Sequence, residues 1–330
     1  MAAVKASPAD TLWLALTGVA LLVFAANYVA TTYFRGQEAS ARARVADVAL
    51  KSQQLAAQAR TAIDGDADAF VALEATRSAI DADLRDLQDG SSPSPGWRGA
   101  AGVGVPLKAL ADRWRAVSAD AARMARDSDA VVAVAKGAER LRSDAGPVKV
   151  RMDEIARTAS ARGDGSLALL ATRQLVLADS LVGEAASIRR GEPGAAEKAG
   201  TIAGESARFV STSKALLCVG GSDLVQGDCD LVTLGSLGKL VLDAKLALDT
   251  IANAAPSVAD AWAAERRIAK GAPPLLEDAR RLQAAFDTLP LRRFFPNTYV
   301  AVTSGFLWIF GLLNLQLRRL RRLRSRLVSS

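Results

Sequence analysis

The stretch LWLALTGVALLVFAANYVATTYF, residues 12–34, decides the architecture of this chain. It carries no charge, and at about 1.5 Å of rise per residue a helix of this length crosses a hydrocarbon core of roughly 30 Å. Trp13 lies near one end and Tyr28 and Tyr33 near the other, as interfacial anchors do. The stretch predicts a transmembrane helix. A cleaved signal peptide is the alternative, although the apolar run is long and has no clean Ala-x-Ala cleavage site.

A second apolar stretch, TYVAVTSGFLWIFGLLNLQL, occupies residues 298–317 and is also uncharged. An arginine run follows it at once. Six of its residues set the orientation: Arg318, Arg319, Arg321, Arg322, Arg324 and Arg326. Because arginine and lysine collect on the cytoplasmic side of a span, this end is predicted to face the cytoplasm. The tail keeps leucines at helical spacing, so we expect it to continue the second span as one helix.

Two spans place both termini in the cytoplasm and the region between them on the other side of a bacterial inner membrane. The predicted segments are a cytoplasmic N-terminus (1–11), a first transmembrane helix (12–34), two periplasmic helical bundles (35–165 and 166–296), a second transmembrane helix (297–317) and a basic cytoplasmic tail (318–330).

The region between the spans predicts an all-α fold. Apolar residues recur at three- and four-residue spacing through most of 37–289, and strand-like alternation is absent. Helix breaks are predicted at 64–66, 91–106 and 218–235, and further breaks or kinks at 146–147, 163–165 and 191–193. Prolines are tolerated in the first turn of a helix, so helix starts are predicted at Pro147, Pro256, Pro273 and Pro274.

The chain shows a weak internal repeat. Ser52-Gln53-Gln54-Leu55 lies about 120 residues before Thr172-Arg173-Gln174-Leu175, and similar elements follow each in the same order. The repeat predicts two antiparallel helical bundles of similar plan, in tandem or stacked, flanked by the two transmembrane helices. Trp114 and Trp262 fall at comparable places in the two halves and are predicted to pack in the core.

Charge and composition argue against several classes of function. The net charge is +7, and the six tail arginines leave +1 for the rest, so a nucleic-acid partner is not expected. Histidine is absent, which excludes histidine-based catalytic triads and metal sites. No phosphate-binding loop, nucleophile elbow or metal-spaced cysteine set is present. We therefore expect no enzyme activity, no cofactor and no metal.

Asp64, Asp66 and Asp68 match only the start of a calcium-binding loop. The positions that would need a glycine and a bidentate acid hold Ala69 and Ala75. The aspartates are therefore interpreted as caps of the next helix.

Four stretches together resemble the N-terminal sensory region of type IV pilus methyl-accepting chemotaxis proteins, the PilJ-type domain. They are SQQLAAQARTAIDGDADAF (52–70), LADRWRAVSADAARM (110–124), ATRQLVLADSLVGEAASI (171–188) and GESARFVSTSKALL (204–217). The resemblance implies a sensory module of a chemotaxis-type receptor, linked to type IV pili and twitching motility. It also implies a homodimer whose partner is pilin or another periplasmic protein.

The resemblance extends to nitrate- and nitrite-sensing input domains, which share a Ser-Gln motif on the first helix. Transferred to this chain, it points to a polar ligand pocket formed by Ser52, Gln53, Gln54, Arg173 and Gln174. An interhelical hydrogen-bond set is the alternative. In Ser52-Gln53-Gln54, a glutamine stands where the PilJ-type pattern often has arginine, which argues against an anion site. A small-anion sensor and a structural scaffold of the envelope or pilus are the alternative functions.

Family receptors continue past the second span into a HAMP linker and a cytoplasmic signalling hairpin. We expect this chain to be either part of such a receptor or a sensor that acts through partners. Pro290 and Pro296 bracket the approach to the second span and are interpreted as a signal-transmission hinge; the alternative is that they only end the soluble helix.

The loop CVGGSDLVQGDC predicts a disulfide between Cys218 and Cys229, because the topology places it in an oxidising compartment. Trp97, in the Gly- and Pro-rich loop at 91–106, is either a partner-binding anchor or a residue folded back on the bundle.

Overall fold

The computed structural model of this chain describes residues 8–89, 102–220, 235–292 and 298–328, apart from some side chains within the helices. These ranges form helices and contain no strand, which confirms the predicted all-α fold class. The helices are α1 (Pro8–Ile63), α2 (Ala67–Asp89), α3 (Gly104–Arg126), α4 (Ser128–Ala161), α5 (Gly165–Arg189), α6 (Ala195–Gly220), α7 (Gly235–Arg292) and α8 (Thr298–Val328).

Helix α1 has 56 residues and is therefore about 84 Å long. It continues from the predicted first span into a segment with a buried stripe at Val45, Val48, Leu55 and Ala59. The helix ends at Ile63, immediately before the predicted break at Asp64-Gly65-Asp66. The sequence thus placed the end of α1 correctly.

Helix α7 is continuous over 58 residues, so the helix starts predicted at Pro256, Pro273 and Pro274 are wrong. Pro147 likewise lies inside α4. A proline removes one amide donor and frees the carbonyl four residues earlier. Pro147, Pro256 and Pro273 are exposed, and the carbonyls freed by Pro147 and Pro273 belong to exposed residues that water can reach. The buried stripe of each helix continues past these prolines, so packing maintains the helix.

The chain divides into two compact units, each built from several segments. Unit 1 contains Met1–Ala49, Asp83–Leu110 and Glu277–Ser330, and unit 2 contains Leu50–Ala82 and Ala111–Leu276. Each unit draws on both halves of the chain, whereas the repeat predicted consecutive bundles at 35–165 and 166–296. Helices α1, α2, α3 and α7 produce this pattern, because each contributes residues to both units.

In unit 2, α5 packs along α4 on one side and α6 on the other. Tight turns join the three helices. Gly163, in the α4–α5 turn, and Gly191, in the α5–α6 turn, have φ angles of 76° and 63° that favour glycine. The buried stripe of α4 consists of Val131, Val134, Ala138, Leu141, Ala145, Val148, Met152, Ile155 and Ala159. Its spacing of three and four residues is that of one helix face.

In unit 1, α1 and α8 pack side by side. Trp13 lies 6.4 Å from Phe310 between ring centroids, and a Cβ built on Gly305 would lie 3.5 Å from the Phe24 ring. From Trp13 to Phe24 the residue numbers rise along α1, whereas the residues they contact on α8 fall from Phe310 to Gly305. The two helices are therefore antiparallel, which is the arrangement that the predicted pair of spans requires. α8 runs unbroken to Val328, so the prediction that one helix continues through the arginine run is confirmed, whereas its crossing of a membrane stays a prediction.

Among the described residues, two helices are long and apolar enough to cross a membrane by length and composition. One is the segment Thr11–Ile63, with a mean hydropathy of 1.9, which contains the predicted first span. The other is α5, with 1.2. Because α5 packs against α4 and α6, we interpret it as a bundle helix. The second predicted span, in α8, is not among the two helices found in the described residues and stays a prediction. Composition thus supports association with a membrane.

Candidate functional site

The Ser-Gln motif of α1 does not form a common polar surface. Ser52 is 1% exposed and belongs to the buried stripe that includes Val48 and Leu55. Gln53 and Gln54 follow on the exposed side of the helix. Because consecutive helical residues are about 100° apart, these three side chains cannot line one pocket together.

Gln174 is buried and connects α5 to α6. Its amide nitrogen Nε2 donates to the backbone oxygen of Phe209 and to Oγ of Ser213, both at 2.7 Å. An amide group has two N–H donors, and both are used inside the protein. Gln174 thus makes an interhelical hydrogen-bond set, which was the alternative to a ligand pocket, and has no donor left for an anion.

Arg173, the next residue, is exposed, and among the described residues it has no hydrogen-bond or ion-pair partner. Around it α5 exposes Leu169 (53%), Leu170 (40%) and Val176 (66%). Leu169, Arg173 and Val176 are separated by four and three residues and therefore share one helix face. We call Leu169, Leu170, Arg173 and Val176 the outer face of α5. It is an apolar strip around a single guanidinium.

The aspartates between α1 and α2 act as a helix cap. Oδ1 of Asp66 accepts from the backbone N–H of Asp68 at 2.9 Å and of Ala69 at 3.3 Å. This is the N-cap geometry that the sequence predicted. The described residues contain no group of three or more candidate metal ligands.

Trp114 is buried, as predicted, and its indole N–H donates to Oδ1 of Asp81 at 2.6 Å. Trp262 is half-buried instead. Its N–H donates to the backbone oxygen of Arg189 at 3.1 Å, and its ring covers Gly191, where a Cβ would lie 2.2 Å from the indole. Each tryptophan thus fixes its helix to another element through contacts of its ring and a satisfied N–H.

Unit 2 also contains facing carboxyl groups from different helices, which sequence reasoning missed. Burial, reinforced by the neighbouring Asp243, raises the pKa of Asp144. Burial, reinforced by Glu205, raises the pKa of Glu184, whose Oε2 is buried without a hydrogen-bond partner. Burial likewise raises the pKa of Asp127, near Asp260. The partners lie far apart in sequence, so only the packing brings them together.

In the α5–α6 turn, by contrast, the pKa of a carboxyl group is lowered. Hydrogen bonds, first from the Ser187 hydroxyl and then from the Arg190 guanidinium, lower the pKa of Glu192 to about 2. Nε of Arg190 lies 2.8 Å from Oε1 of Glu192, and Lys198 adds a further positive charge. The turn is therefore held by an ionised glutamate.

Several predicted features lie partly or wholly outside the described residues. Cys218 is half-buried near the end of α6, whereas Cys229 is outside, so their disulfide stays a prediction. Pro290 lies inside α7, and Pro296 is outside. Trp97 is also outside. Of the tail arginines, Arg318 lies with its guanidinium carbon 5.6 Å from the Trp13 ring centroid.

No protein-family model and no curated protein matches the chain.

Proposed function

We propose that this chain is the sensory module of a chemotaxis-type transmembrane receptor linked to type IV pili and twitching motility. The outer face of α5 is the observation that carries the proposal. Leu169, Leu170 and Val176 are all exposed on this helix, and a cluster of exposed apolar side chains suggests an interaction surface. Such a strip around an arginine that has no ion-pair partner among the described residues suits a protein partner, and pilin is the partner implied by the PilJ-type resemblance.

A protein partner is favoured over a small anion because of how the polar residues are used. Gln174 donates both of its N–H groups to α6. Gln53 and Gln54 are exposed, and Arg173 belongs to an open apolar face. An anion site needs several donors that converge on one point, and these side chains do not converge.

The proposal includes the topology and the assembly. The helical region lies in the periplasm of a bacterium, both termini lie in the cytoplasm, and the receptor is a homodimer in the inner membrane. The arginine run after α8 supports this orientation. In that compartment Cys218 and Cys229 form a disulfide.

The signal passes from the bundle through α7 to α8. Helix α7 supports this route, since it is unbroken from Gly235 to Arg292 and a continuous helix transmits a shift or rotation along its length. Pro290 and Pro296 then form the hinge before the second span.

The test is binding of the soluble domain of pilin to the full chain in lipid nanodiscs, measured by calorimetry. We expect Val176→Glu to weaken binding at least tenfold, because it buries a charge in the contact. Val71→Glu is the matched control, because Val71 is an equally exposed valine, at 71%, on α2 of the same unit.

Equal affinities of the two variants would overturn the assignment of the outer face of α5. If the chain ignores pilin and binds nitrate in the same calorimeter, the anion-sensor function replaces the pilus function.

A further inference from the structure

Pro290 creates an unusual problem for α7. A proline has no backbone N–H, so the carbonyl of Phe286, four residues earlier, receives no helical hydrogen bond from position 290. Ser143 and Ala269, four residues before Pro147 and Pro273, are exposed. Phe286, in contrast, is only 1% exposed. Water therefore has little access to this carbonyl, so a donor from the protein matters more here than at a proline whose freed carbonyl is exposed.

A side chain from α1 provides a donor. Nη2 of Arg42 donates to the backbone oxygen of Phe286 at 2.9 Å. Nη1 of the same guanidinium lies 3.4 Å from Oδ1 of Asp287. The planar guanidinium carries several N–H donors in a fixed geometry, so one arginine serves the carbonyl and the adjacent carboxylate together. Both partners belong to unit 1.

We propose that Arg42 is a positioning residue that replaces the amide missing at Pro290. It keeps the last turns of α7 helical and attaches them to α1, eight residues beyond the first predicted span. Any movement of the end of α7 along α1 then has to break the bond between Arg42 and Phe286. This signalling consequence rests on the function proposed above, whereas the replacement of the amide does not.

The experiment compares hydrogen–deuterium exchange of peptides covering residues 282–292 in the full chain in nanodiscs. Four proteins form a cycle: the parent, Arg42→Met, Pro290→Ala and the double variant. In the parent background we expect Arg42→Met to accelerate exchange by roughly 10- to 100-fold, the range for loss of a hydrogen bond to a charged donor. In the Pro290→Ala background, alanine supplies the missing backbone amide. The acceleration caused by Arg42→Met should then fall below about threefold.

Two further variants separate the possible causes. Asp287→Asn removes the ion pair and keeps the carbonyl bond, so exchange should change by less than about threefold. Arg42→Lys retains one donor and the charge and should give an intermediate rate. Peptides from α4 and α5 serve as the internal reference for global unfolding.

Equal acceleration by Arg42→Met with proline and with alanine at position 290 would overturn the proposal, because Arg42 would then act through packing or through Asp287 alone. No acceleration in the parent background would overturn it as well. Neither readout involves pilin, so a failure here leaves the proposed function untouched, and the reverse also holds.

Discussion

Gly65, in the turn between α1 and α2, offers a quantitative test of the packing in unit 2. Its φ of 100° is unfavourable for an L-amino acid, which costs about 1–2 kcal/mol. A Cβ at this position would also lie 2.2 Å from Cβ of Ala135 on α4. Carbon atoms prefer separations of about 3.5–4.0 Å, and the Ala135 methyl cannot rotate away from its helix backbone. Overpacking of this kind costs typically about 1–3 kcal/mol.

Gly65→Ala should therefore lower the free energy of unfolding by about 2–5 kcal/mol, the sum of the conformational and steric costs. Gly163→Ala is the matched control, because Gly163 has a φ of 76° and open space around its Cβ position. It should lose only the conformational part, about 1–2 kcal/mol. Thermal unfolding of the full chain, followed by circular dichroism in nanodiscs, should show a drop of about 2–4 °C per kcal/mol.

The steric part is isolated by adding Ala135→Gly to Gly65→Ala. Ala135→Gly alone costs about 1 kcal/mol of helix propensity, so the relief appears as a favourable coupling in the double-mutant cycle. If Gly65→Ala and Gly163→Ala lower the melting temperature equally, or if the cycle shows no coupling, the close approach of the α1–α2 turn to α4 is not a determinant of stability and the reasoning is refuted.

Three further predictions test the pH response, the core and the topology. The raised pKa of Asp144, beside Asp243 and opposed by Arg140, means that its ionised form destabilises the folded state. Asp144→Asn should therefore raise the melting temperature at about pH 7, and the gain should vanish as the pH falls below about 4, where the carboxyl is protonated in both states; a gain independent of pH would contradict this. Gln174→Leu should cost about 1–2 kcal/mol in denaturant unfolding, because two acceptors on α6 lose their donor, and an unchanged midpoint would show that the amide bonds are dispensable. Alkaline phosphatase inserted within 91–106 should be active and a fusion after Ser330 inactive; the reverse pattern would refute the orientation drawn from the arginine run.

Local chemistry made some features predictable from the sequence. The end of α1 was predictable because Asp64-Gly65-Asp66 combines a capping aspartate with a glycine that tolerates positive φ. The buried position of Trp114 agrees with the three- and four-residue spacing of its buried neighbours Leu110 and Val117. In both cases the deciding residues lie within one or two helical turns of each other.

Other features depend on contacts that no sequence spacing encodes. Pro256 and Pro273 suggested helix starts, yet α7 continues because its buried stripe is uninterrupted at Ala255, Val258 and Leu275. The orientation of Gln174 could not be predicted, since nothing in the sequence says that Ser213 lies opposite. The outer face of α5 was not predicted, because the sequence indicates only that a residue is apolar. Whether another element covers that residue depends on the packing.

The prolines inside helices differ in a way that bears on the mechanism. Where the freed carbonyl belongs to an exposed residue, as with Ser143 before Pro147 and Ala269 before Pro273, water can replace the amide and the helix needs no partner. The carbonyl four residues before Pro290 is buried, and there a charged side chain from α1 takes the place of the amide. A proline supported in this way differs from a free hinge, because its flexibility depends on whether the neighbouring helix stays in place. If α7 carries a signal towards α8, the end of the helix is stiff while Arg42 is bound and becomes pliable once α7 moves away from it. The end of α7 then has two states: a stiff state in which Arg42 is bound to Phe286, and a flexible state in which that bond is broken and Pro290 acts as a hinge.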